Sequence, residues 1–111
     1  MGWYYILNED HTVRRAIDID EWSQHFEFGN SSIDWTGNTD LHVSTIFLGI
    51  DRGFGRTEIP ILFETLIRGG AHDNEMERYC TYDEAIEGHR RWCNLVFVRD
   101  GVGVGDGNAT F

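Results

Sequence analysis

Five polar residues stand where the apolar pattern of this chain breaks: Asp51, Arg52, Glu64, Arg78 and His89. Glu64 interrupts an apolar run beside Phe63 and Leu66. A lone carboxylate among apolar neighbours is costly unless it is paired. If unpaired, its pKa rises and it becomes an acid or a base. The weightier reading is an outward-facing residue, or a salt bridge to Arg78. His89 falls between Ile86 and Trp92 on the apolar side of a predicted helix. Most histidines so placed are core residues. A chemical role needs Asp51 or Glu64 within reach. With such reach, Asp51, Glu64 and His89 are the catalytic candidates of a small hydrolase-like enzyme. Without it, Asp51, Arg52, Glu64, Arg78 and His89 are contacts for a ligand or partner, the arginines gripping an anionic group.

Other chemistry-bearing patterns weigh less. Gly49-Ile50-Asp51-Arg52-Gly53-Phe54-Gly55 looks like a phosphate cradle, but no helix opens after it to supply free amides. A hairpin-like turn that uses glycine for positive φ is the better reading. His72-Asp73 with Glu75 is a weak metal motif, and a solvated turn fits better. No metal site and no cofactor is implied. Cys80 and Cys93 lack metal spacing and read as two small buried thiols in a reducing compartment. Two glycosylation sequons, at Asn30 and Asn108, have no secretory signal to give them meaning.

The elements that must position these residues read as α+β: an antiparallel sheet of four to five strands with two amphipathic helices packed on it. Residues 2–7 and 12–17 suggest a hairpin about a polar turn. A helix is expected near 19–28, capped by Asp18 or Asp20 and stopped at Gly29-Asn30. A short strand is expected around Ile33 to Trp35. Residues 41–48 alternate, with Leu41, Val43, Thr45 and Phe47 on one face. Because Ile46 and Leu48 are apolar as well, both faces are expected to be covered near the strand's end. The next strand is expected from Ile59-Pro60 to Arg68, paired with the first, and Glu77 to Cys80 reads as a short extended segment. Thr81-Tyr82-Asp83-Glu84 is a capping box. It opens a helix expected to bury Ala85, Ile86, His89, Trp92, Cys93 and Val96. Residues 1–100 read as one domain and 101–111 as a glycine-rich tail.

The chain has 111 residues, 41% hydrophobic and 14% aromatic, which argues against disorder. Nineteen acidic residues against nine basic ones, all arginine, give a formal net charge of −10. A phosphate backbone is repelled unless the arginines cluster. Such acidity commonly serves solubility. Its sharper meaning is an acidic face that meets a basic partner. No apolar run reaches membrane-spanning length.

Three blocks, taken in order, resemble a family of small uncharacterised phage and prophage proteins. They are Val43-Ser44-Thr45-Ile46-Phe47-Leu48-Gly49-Ile50-Asp51, then Pro60-Ile61-Leu62-Phe63-Glu64-Thr65, then Glu77-Arg78-Tyr79 with Thr81-Tyr82-Asp83-Glu84-Ala85 and Gly88-His89. The resemblance covers about residues 41 to 89, and weakly the opening Trp3-Tyr4. Arg52 stands where that family usually has His, so no role of that His carries over. The family lends no activity. It implies a phage-like origin and a host-cytoplasmic setting. From that, the expected function is stoichiometric binding: an anti-defence inhibitor of a host protein, or a trap for its anionic signalling molecule. A small enzyme and a virion-associated structural protein are the alternatives. The partners expected are a host protein or an anionic small molecule, with no nucleic acid and no membrane, and with homo-oligomer formation left open.

Overall fold

A computed structural model describes residues 2–27, 29 and 31–97; the expected tail at 101–111 lies outside them. Two strands, β1 (Tyr5–Leu7) and β2 (Val13–Arg15), form an antiparallel hairpin, followed by α1 (Ile19–Glu27). A four-stranded antiparallel sheet follows in the order β3 (Ser32–Gly37), β4 (His42–Phe47), β5 (Phe63–Arg68), β6 (Met76–Tyr79). The last element is α2 (Tyr82–Phe97). The fold is α+β, with the strands around 41–48 and 59–68 paired as expected.

Local chemistry fixes the boundaries. In the first hairpin the Asp10 carboxylate accepts the Thr12 N–H at 3.0 Å. That Asx-type turn reverses the chain. Asp18 caps α1 by accepting the Glu21 N–H at 2.9 Å. Gly29, at φ +75°, follows the last turn of α1. The capping box of α2 forms in both directions: Thr81 Oγ1 accepts the Glu84 N–H and Glu84 accepts the Thr81 N–H, each at 3.1 Å.

The alternation of β4 is realised. Val43, Thr45 and Phe47 are buried, as are Phe63, Thr65 and Ile67 opposite them. This face carries the core. One cluster joins Tyr5, Phe47, Leu62, Phe63, Tyr79 and Ala85, and a second joins Val43, Ile67 and Cys93. The opposite face of β4 is only half-buried at Ser44, Ile46 and Leu48, so the expected double coverage does not occur. Register aligns Trp35, Ser44, Leu66 and Met76 in one row across that face. An antiparallel sheet tolerates one such wetted side.

Two further expectations are corrected. β5 begins at Phe63 rather than at Ile59. Pro60 has no N–H to give a ladder, and the Ile61 N–H is taken by the Asp51 carboxylate at 3.0 Å. The helix face of α2 is also rotated. Ala85, Gly88, His89 and Cys93 are buried, whereas Ile86 is exposed and Trp92 and Val96 are half-buried. Gly88 explains this. A Cβ there would lie 2.1 Å from the Tyr79 hydroxyl oxygen. Only glycine lets the helix settle onto that ring.

Candidate functional site

Asp51 follows β4 and is 3% exposed. Its Oδ1 accepts the N–H of Gly53 at 2.8 Å and of Ile61 at 3.0 Å, and its Oδ2 accepts that of Gly55 at 3.0 Å. Burial pushes its pKa up, but the three amides pull it down further, and the carboxyl rests below its ordinary value. Asp51 therefore organises the loop and stays ionised. Its acceptor capacity goes to backbone, which leaves it poorly suited to take a substrate's proton.

The loop it organises is tightly tied. The Phe54 N–H reaches the Asp51 carbonyl and the Arg56 N–H the Gly53 carbonyl, both at 2.9 Å. The Asp51 N–H reaches the Trp3 carbonyl at 2.8 Å. Gly53 is pressed against Thr57, where a Cβ would lie 2.5 Å from Oγ1. At the tip, Phe54 adopts φ +52°. It is 38% exposed and meets Trp3, itself 47% exposed, edge-on at 5.5 Å between ring centroids. The guanidinium carbons of Arg52 and Arg56 lie 5.8 and 6.0 Å from the centre of the Phe54 ring. Among the described residues, Arg14, Arg68, Arg78, Arg90 and Arg91 form ion pairs with carboxylates, and Arg15, Arg52 and Arg56 form none; Arg15 Nε donates to the Tyr5 hydroxyl at 3.4 Å and Arg56 Nε to the Gly53 carbonyl at 3.5 Å.

Glu64 and Arg78 are cross-strand neighbours on the half-buried face and form the expected salt bridge, Nε to Oε1 at 2.9 Å. Neither group is left over for chemistry.

His89 lies on the other face, 4% exposed under α2. A chain of polar side chains runs through it. The Tyr79 hydroxyl donates to Thr65 Oγ1 at 2.9 Å, and Thr65 and Thr45 Oγ1 are 2.6 Å apart. Thr45 Oγ1 is 2.7 Å from His89 Nδ1, and His89 Nε2 is 2.9 Å from Thr36 Oγ1. The Asp34 carboxylate stands 3.6 Å from Nε2. Burial lowers the His89 pKa and Asp34 partly offsets that, which leaves the imidazole below its ordinary value. Burial pushes Tyr79 up to about 12. One proton order then satisfies the chain: Tyr79 gives to Thr65, Thr65 to Thr45, Thr45 to neutral Nδ1, and Nε2–H to Thr36.

The five expected residues do not converge. Glu64 and His89 lie on opposite faces of the sheet, and Asp51 lies in a loop with its carboxylate committed. Arg52 sits in that loop; Arg78 sits with Glu64. His72 Nδ1 and Glu75 Oε1 are 3.2 Å apart, an ion-pair distance within a turn. Among the described residues no group of three or more His, Cys, Asp or Glu is placed to hold a metal. A cavity near α2 is lined by Glu77, Asp83, Glu84 and Glu87 with Arg78 and Arg91, an acidic surround. Cys80 borders it, its thiol pushed up by burial and then by Glu84 and Asp51, which is the opposite of an activated nucleophile.

Sequence reasoning missed Trp3, Phe54 and Arg56. The signal was present in Arg52-Gly53-Phe54-Gly55-Arg56, an aromatic centred between two glycines and two arginines. It also missed Thr36, Thr45, Thr65 and Tyr79, whose alignment depends on strand register. No helix among the described residues is long and apolar enough to cross a membrane. Comparison of the chain with protein-family models, curated proteins and solved structures finds no match.

Proposed function

We propose that this protein acts stoichiometrically, as a phage-type accessory protein that binds and blocks a host protein in the host cytoplasm. The observation that supports this reading is how the polar groups are spent. Asp51, Glu64 and His89 each satisfy a structural partner, while the exposed Trp3, Arg52, Phe54 and Arg56 keep donors and apolar surface in hand. Aromatic and arginine side chains on a rigid support are the usual anchors of protein interfaces. Trapping an anionic small molecule is the weaker version. Such ligands favour concave, largely apolar sites, and the arginines available here project from a loop tip.

The test is a titration of the purified protein against the activity of the host component it inhibits. Saturation near a one-to-one ratio supports binding. Inhibition that persists far below that ratio, and is lost in Glu64→Gln or His89→Asn, replaces it with catalysis.

A further inference from the structure

Phe54 occupies a backbone conformation that suits glycine. Its φ of +52° lies in the left-handed region, which costs a residue with a Cβ roughly 1–2 kcal/mol. Glycine flanks it on both sides, yet phenylalanine holds the tip. Within the chain Phe54 gains an edge-on contact with Trp3 and two flanking guanidiniums, yet its ring stays 38% exposed. A strained residue that keeps part of its ring at the surface points outward, to something it meets.

The charges point the same way. Arg52 and Arg56 flank the ring with no ion pair among the described residues, in a chain of net charge −10. The carboxylates nearest in sequence, Asp51 and Glu58, do not pair with them, and Asp51 is held by three amides. Guanidinium groups match carboxylates in a two-pronged geometry. The loop is already tied down by its own backbone bonds, so docking it orders little that is not ordered before.

We infer that loop 51–56 is the anchor of a protein interface: Phe54 enters an apolar pocket of the partner, and Arg52 and Arg56 each meet a carboxylate on its rim. Nucleic acid fits less well. Polyphosphate affinity grows with the number of cationic contacts, and this site offers two on a strongly acidic protein.

The inference rests on the binding reading above. Its test uses no target activity, so the two fail separately. A display library of small folded domains with a randomised concave face is selected on the immobilised full chain and counter-selected on Phe54→Gly, which suits the loop's backbone. Affinities of the recovered domains are then measured against both, and against the double variant Arg52→Ala/Arg56→Ala. Circular dichroism checks that each variant is folded. The expected domains carry Asp or Glu around an apolar pocket, and they bind each variant about tenfold more weakly or worse. A single-stranded oligonucleotide does not displace them. Recovery of no domain, of domains without acidic residues in the selected face, or of domains that bind Phe54→Gly equally well overturns the proposal. So does displacement by the oligonucleotide, which would assign the loop to nucleic acid.

Discussion

Under α2, Thr36, Thr45, Thr65, Tyr79 and His89 are joined in one hydrogen-bonded chain, with Glu77 beside the Tyr79 hydroxyl and Asp34 beside His89. At the tip of loop 51–56, Arg52, Phe54 and Arg56 meet one another and Trp3, and neither arginine pairs with a carboxylate. Both regions hold groups that a sequence reader would suspect of chemistry. The difference is that the first is closed. An imidazole held neutral between two threonines has no atom facing a substrate, and it fixes how α2 sits on the sheet. The second is open: its backbone is tied by the Asp51 carboxylate, while Arg52 and Arg56 form no ion pair and the Phe54 ring stays partly exposed. Suspicion based on residue type picks the first region, and accounting for partners picks the second.

The comparison can be broken by substitution, and the closed region should yield the largest effects. His89→Ala removes a buried ring and strands the Thr45 and Thr36 hydroxyls. A loss of about 2–5 kcal/mol is expected in chemical denaturation. The same residue sets a pH dependence. Its folded pKa is lowered, so its contribution is complete above the unfolded value of about 6.5 and is lost as pH falls below that. His89→Asn should flatten stability across that window. An unchanged slope would mean that His89 is not held neutral.

Asp51→Ala comes next, at about 1–3 kcal/mol, because three backbone amides lose one acceptor group. Here the folded pKa is depressed, so the wild-type contribution is present above about pH 4 and disappears as pH falls further. The loop amides of Gly53 and Gly55 should also exchange faster with solvent in this variant. Thr81→Ala should cost about 1 kcal/mol through the lost cap of α2. Glu64→Gln, on the half-buried face, should cost under about 1 kcal/mol, since its partner Arg78 is substantially exposed. If Glu64→Gln proves costlier than Asp51→Ala, the ranking of fully buried over half-buried polar groups is wrong.

Much of this frame was legible in the sequence, for local reasons. The capping box at Thr81 and Glu84 needs four adjacent residues, and the alternation at Val43, Thr45 and Phe47 needs one strand. The Glu64–Arg78 pair was expected because an unpaired carboxylate there would be costly. What escaped depends on relations across the chain. Thr45 meets Thr65 only once β4 and β5 have a register. The rotation of α2 depends on Gly88 seating against Tyr79, which leaves Trp92 half-buried with its indole N–H on Glu77 at 2.9 Å. The late start of β5 follows from a carboxylate ten residues earlier capturing the Ile61 N–H. The meaning of Phe54 was hidden because a positive φ leaves no mark on a phenylalanine in a sequence.

That last residue offers the most direct measurement. If loop 51–56 is the partner-facing anchor, Phe54 holds its left-handed φ for a surface contact and not for the fold. The unfolding free energy of Phe54→Gly, measured beside the wild type by denaturant titration, should lie within about 1 kcal/mol of it, relief of the left-handed penalty offsetting glycine's greater unfolded-state freedom and the lost ring contacts. A loss of more than about 1 kcal/mol would show that the ring supports the fold. The assignment of loop 51–56 as the open, partner-facing region would then be withdrawn.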